Sequence, residues 1–159
     1  MNTVRIRLAT GEGDIAVAKR LFEDYAAWIA IDLSFQNFDE ELRRLPGDYA
    51  PPGGALFLAW AEGTPAGCVA VRRFDEKDCE MKRLYVRDSF RGLKAGERLA
   101  QEAIAWAKAA GYRRMLLDTL PPMRAAHRLY ERLGFTEIPA YRFNPVEGTR
   151  FMARSLGPP

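Results

Sequence analysis

The hydrophobic pattern of this chain changes from strand to helix between Val86 and Ala95, and that change limits the folds open to it. Before it lie two apolar stretches, Ala55–Ala61 and residues 67–74. Glu62-Gly63-Thr64-Pro65 between them is turn chemistry and predicts a hairpin. Asp75-Glu76-Lys77-Asp78 turns the chain again into a further strand over residues 79–86. After the change, Leu99, Ala103, Trp106 and Ala110 recur at helical spacing, and Gly111 stands where a left-handed cap is usual. Met115-Leu116-Leu117 is a short strand, and Pro121 or Pro122 opens another helix that runs to about Leu133. Hairpins followed by strand–helix–strand units predict an α/β fold. Its mixed central sheet has about six to seven strands and helices on both faces.

The flanks agree. Val4–Leu8 alternates as a strand, and residues 14–31 place Ala18, Leu21, Phe22, Tyr25 and Trp28 on one helical face. A short helix over 38–45 and strands over 135–138 and 149–154 complete the reading. Residues 45–54 carry three Pro and three Gly and predict a long loop within one domain spanning 1–159.

Two Cys and one His are too few for a Cys/His zinc site or a disulfide framework, so no metal is expected. Lys+Arg exceed Asp+Glu by only 3, and the Arg pairs at 43–44, 72–73 and 113–114 are scattered without interleaved aromatics. The expectation is therefore no nucleic-acid partner. With no leader-like apolar core near Met1 and no apolar run of ~18 residues, the expectation is no membrane contact and a cytoplasmic location.

The chemistry concentrates where the pattern changes. A strand ends at Leu84-Tyr85-Val86, a short loop follows, and a helix begins near Gly96. Helix N-termini present unpaired N–H groups and partial positive charge. Gly92 and Gly96 let a ligand approach the backbone, while Arg91, Lys94 and Arg98 add cationic donors. The stretch Arg91-Gly92-Leu93-Lys94-Ala95-Gly96 reads as a pyrophosphate cradle or, equally, as an ordinary helix start with a Gly-containing turn.

That stretch resembles the Gln/Arg-x-x-Gly-x-Gly/Ala signature of the GCN5-related N-acetyltransferases, with Lys94 in place of the first motif glycine. Ala126-His127-Arg128-Leu129-Tyr130-Glu131-Arg132-Leu133-Gly134-Phe135 matches a second pattern of that family, Ala-x-x-Leu-Tyr-x-x-x-Gly-Phe. Met123 stands where the family often has Asn. The resemblance implies a splayed sheet that admits acetyl-CoA as co-substrate between the fourth and fifth strands. Leu84, Tyr85 and Val86 would meet its pantetheine arm, and residues 91–96 its phosphates. It implies direct acetyl transfer to a primary amine, carried by a small molecule or a peptide. Some members carry a Glu eleven residues before the signature's Gln/Arg, the spacing of Glu80 to Arg91, which makes Glu80 the expected base. An alkylammonium has a pKa of ~10.4 and must lose a proton to attack. Tyr130 is the expected acid toward the leaving thiolate. On the residues alone, Glu80 reads equally as an exposed carboxylate paired with Lys82 or Arg83, and Tyr130 as core.

Other residues belong in the balance. Trp28, Phe35, Phe38 and Tyr49 flank the region where the family builds its acceptor pocket, and Tyr141, Phe143 and Asn144 are placed to close the site from the other side. Asp118 either caps a turn or faces substrate. His127, Cys68 and Cys79 read as packing residues. The rival reading is a non-catalytic acyl-CoA-binding regulatory module. A nucleotide binder lacks the Gly-Lys-Ser/Thr triplet. Exposed sheet edges allow a homodimer.

Overall fold

A computed structural model describes residues 3–157, apart from the side chain of Phe35. Seven strands, β1 (Val4–Leu8), β2 (Ala55–Ala61), β3 (Thr64–Arg73), β4 (Asp78–Val86), β5 (Arg114–Thr119), β6 (Thr136–Glu137) and β7 (Arg150–Ser155), form one sheet. Their order is β1-β2-β3-β4-β5-β7-β6. Only β4 and β5 run parallel. The helices are α1 (Gly11–Ile29), α2 (Phe38–Arg44), α3 (Ala95–Ala109) and α4 (Arg124–Arg132).

Strand alternation divides the apolar side chains between two cores. Phe57, Val69, Val71, Cys79 and Met81 meet Leu99, Ala103 and Ala107 of α3 on one face. Leu56, Leu58, Cys68 and Ala70 meet Leu21, Phe22 and Tyr25 of α1 on the other. The expected mixed sheet with helices on both faces is therefore present. Trp28 departs from its expected place on the buried face of α1. It is 40% exposed, and Ile29 fills the core there.

Two irregularities shape the molecule. First, β4 pairs with β5 only through Asp78, Cys79 and Glu80, opposite Arg114, Met115 and Leu116. Beyond Glu80 and Leu116 the strands part. Second, β4 bulges against β3. Cys68 and Ala70 stand two residues apart, whereas their partners Tyr85 and Lys82 stand three apart. Arg83 absorbs the extra residue at φ 62°. The slip moves the α3-facing set from Cys79 and Met81 to Leu84 and Val86, and turns Glu80, Lys82 and Tyr85 toward α1 and α2.

Element ends differ locally from expectation. Pro121 and Pro122 lie in the turn before α4, closed by Met123 N–H on the Leu120 carbonyl at 3.0 Å. Prolines fill such a turn because they donate no backbone N–H. The 45–54 stretch contains one 3₁₀ turn, Gly47–Tyr49. Among the described residues no helix is long and apolar enough to cross a membrane.

Candidate active site

Where β4 and β5 separate, a cleft of about 630 Å³ opens between the end of β4 and α4. Leu84, Tyr85 and Val86 form one wall, Met123, Ala126 and Leu129 the other, and the start of α3 the rim. No side chain caps α3, and the first amide to bond back is that of Arg98, onto the Lys94 carbonyl at 3.0 Å. The amides ahead of it are left for a ligand. Gly92 sits at φ 90° with open space where a side chain would be. Gly96 faces Val86 and Leu129 at ordinary contact distance. Lys94 takes a left-handed conformation, φ 58°, which costs a side-chain-bearing residue ~1–2 kcal/mol. A glycine is the usual solution there, and Lys94 instead adds an exposed ammonium to the rim.

Of the expected cofactor residues, Leu84, Tyr85, Val86, Arg91, Gly92, Lys94, Ala95 and Gly96 all line this cleft. Leu93 does not, and packs instead against the core. The Arg91 guanidinium stacks over Trp28 at 4.8 Å and donates to the Val86 carbonyl at 3.1 Å. It thus occupies one backbone acceptor that an extended ligand would otherwise meet. Arg98 does not join the rim, because its guanidinium bonds the Val4 carbonyl on β1.

At its inner end the cleft narrows, past Leu84 and Met123, to a cavity of about 20 Å³, room for roughly one water. Tyr25, Gln36, Lys82, Asp118 and Tyr130 line it. Asp118 lies 3.7 Å from the Lys82 ammonium and accepts a bond from Asn144 at 3.3 Å. Burial, reinforced by neighbouring Arg83, lowers the Lys82 pKa to about 8. Burial also pushes the Tyr130 phenol up, so it keeps its proton at neutral pH. Arg83 makes a two-pronged pair with Glu41, both contacts at 2.9 Å, and donates to Gln36 at 2.7 Å.

Glu80 stands apart from these cavities and is fully buried. Its oxygens accept from Arg72 at 2.9 Å, Arg142 at 2.8 Å and the Tyr141 hydroxyl at 2.6 Å. The alternative of an exposed carboxylate paired with Lys82 or Arg83 is corrected. The strand alternates it onto the α2 face, where β3 and the β6–β7 loop bring different partners. Tyr141 and Asn144 do reach the site from that loop, whereas Phe143 is 81% exposed. His127 bonds the Leu120 carbonyl at 3.1 Å, and both cysteines are buried thiols, Cys79 pushed up to about 12 by burial.

A third cavity, about 220 Å³, opens beside α2 and shares Gln36 with the inner one. Sequence reasoning missed Lys82, Arg72, Arg142 and Gln36 as site residues. The signal for Lys82 was its place in a polar run, Lys82-Arg83, within a strand buried on both faces. Arg142 reaches the site from an irregular segment and Gln36 from a single 3₁₀ turn, Ser34–Gln36, and neither carries such a signal.

A family model described as the acetyltransferase (GNAT) family matches residues 18–135. An N-acetyltransferase of Schizosaccharomyces pombe is 43% identical over 141 residues, covering 87% of this chain and 86% of that one. The mouse N-acetylaspartate synthetase is 34% identical over 91 residues, which is 57% of this chain and 30% of that protein. Among solved structures, a GNAT family acetyltransferase from Elizabethkingia anophelis with acetyl-CoA bound superposes with a TM-score of 0.68. It is 20% identical, with 96% of this chain and 98% of that chain covered.

Proposed function

This chain belongs to the acetyltransferase (GNAT) family, and on that premise we propose that it moves an acetyl group from acetyl-CoA directly to a primary amine. The observation that carries the reading is the split of β4 from β5, which leads from an uncapped helix N-terminus to a buried polar end. The residues fit the co-substrate. The amides before Arg98, with Lys94, suit a diphosphate, and the apolar walls suit a pantetheine arm. When bound, acetyl-CoA supplies an acetyl group activated as a thioester. In the transfer an N–C bond forms and the C–S bond breaks. The amine gives up a proton, and the departing thiolate takes one.

We assign the proton acceptor to Asp118, whose carboxylate lines the inner cavity. Glu80 was the expected base, but it lines neither the cleft nor the inner cavity, and three donors already engage its oxygens. Its role in this reading is to hold Arg72, Arg142 and Tyr141. Tyr130, in the same cavity as Asp118, is the proton donor to sulfur. The acceptor is a small molecule or a peptide amine. Amino acids join the test panel because one relative is named N-acetylaspartate synthetase.

The test is thiol release from acetyl-CoA with a panel of amines, amino acids and short peptides. Release is expected with at least one acceptor. Asp118→Asn should lower kcat/KM by about 10²-fold or more and flatten its rise with pH, and Tyr130→Phe should lower kcat. Glu80→Gln should instead lower stability, on the order of 3 kcal/mol, by leaving two guanidinium groups short of a counter-ion. A pH profile altered by Glu80→Gln and untouched by Asp118→Asn would reverse the assignment. Acetyl-CoA binding without thiol release for any acceptor would mark a binding module.

A further inference from the structure

The buried polar network around the inner cavity is unbalanced. Arg72, Lys82, Arg83 and Arg142 face Glu41, Glu80 and Asp118, four cations against three carboxylates. Its hydrogen bonding is unbalanced in the same direction. The Tyr49 hydroxyl is buried with no partner among the described residues, as is Arg142 Nε. Buried donors of this kind cost free energy unless something accepts from them.

Three donors converge on the 220 Å³ cavity beside α2, and the Tyr49 hydroxyl among them is both buried and unpartnered. Tyr49 contributes its unpartnered hydroxyl. Arg72 spends Nε and one terminal nitrogen on Glu80, which leaves its other terminal nitrogen. Gln36 accepts from both Arg83 and Lys82 through Oε1, and this fixes its amide orientation and leaves its NH₂ to donate. Glu41 also lines the cavity, but Arg83 engages both of its oxygens. Glu40, Asp48 and Arg44 lie farther out, exposed at the rim. Gln36 is also a wall of the inner cavity that holds Lys82 and Asp118. A ligand with its anion on Tyr49 and Arg72 therefore lies across Gln36 from the cavity that Asp118 lines.

We propose that the cavity beside α2 is a carboxylate subsite and that the acceptor is a free α-amino acid rather than a simple alkylamine. This rests on the acetyltransferase reading above and narrows its acceptor. One carboxylate accepts from the phenol, the guanidinium and the amide. Its α-amine, one carbon away, turns toward the inner cavity. The side chain points out to the rim between Glu40 and Arg44.

The test compares each amino acid with the amine left by removing its carboxylate, in wild type and in Tyr49→Phe. The readouts are thiol release and the melting temperature of the CoA-bound protein. At least one amino acid should exceed its decarboxylated counterpart by about 10²-fold in kcat/KM and raise the melting temperature where that amine does not. Tyr49→Phe should fold as well as wild type, since its hydroxyl has no partner to lose, and reduce that ratio about tenfold. Decarboxylated amines that match or exceed every amino acid would overturn the subsite and leave the acetyltransferase reading standing. A ratio unmoved by Tyr49→Phe, or no amino acid raising either readout, would also overturn it. Loss of all thiol release, with no stabilisation by acetyl-CoA, would sink the underlying reading itself.

Discussion

Single residues carry the site's electrostatics, and Lys82 is the clearest case. Its ammonium is buried, with Arg83 beside it and Asp118 at 3.7 Å, and its pKa falls to about 8. In the unfolded chain a lysine titrates near 10.4. Below pH 8 both states hold the proton, and the full cost of burying the charge is present. Between about pH 8 and 10.4 the unfolded state holds more protons than the folded one, so stability rises with pH. Denaturant unfolding at stepped pH should therefore show wild type gaining on Lys82→Met across that window, by up to ~3 kcal/mol. A constant difference would mean that Lys82 titrates normally. Little of this was legible beforehand. Glu80 was singled out by its spacing to Arg91, yet its partners Arg72 and Arg142 lie 8 and 62 residues away in the chain, and no local pattern announces them. Asp118 was noticed but left undecided between a turn and the substrate, since its Lys82 contact depends on how the sheet parts.

Elements were far more legible than contacts. Alternation at Val4–Leu8 and Ala55–Ala61 and the helical stripe of α3 reflect which face of each element is buried, and burial writes directly into residue type. The bulge was written too, though unread. Apolar residues stand at 79 and 81 and then at 84 and 86, a slip of one that a regular strand does not make. The prolines at 121 and 122 misled because a proline suits both a turn and a first helical turn. At this scale the start of α3 makes a prediction. A side chain at Gly96 meets Val86 and Leu129 only at 3.7 and 3.9 Å. Gly96→Val should thus fold with little loss while intruding on the cleft. Calorimetric titration should show acetyl-CoA affinity falling tenfold or more, with the ligand-free melting temperature nearly unchanged. A fall in melting temperature with affinity retained would mean that Gly96 serves packing alone.

For the whole molecule, the same β4 backbone borders both cores and the open seam. Acetyl-CoA at a hundredfold excess over its dissociation constant should therefore add ~2.7 kcal/mol to apparent stability in a thermal or denaturant melt. An unmoved transition at millimolar acetyl-CoA would contradict the cleft's assignment. The placement of the cavities has a kinetic corollary. One opens along the β4–β5 seam and another beside α2, and they converge on Gln36, Leu84 and Met123 around a space no larger than a water. If the cavity beside α2 takes the acceptor, as proposed above, donor and acceptor arrive through separate mouths and neither blocks the other's path. Double-reciprocal plots at several acceptor concentrations should intersect rather than run parallel, and free CoA should compete with the donor alone.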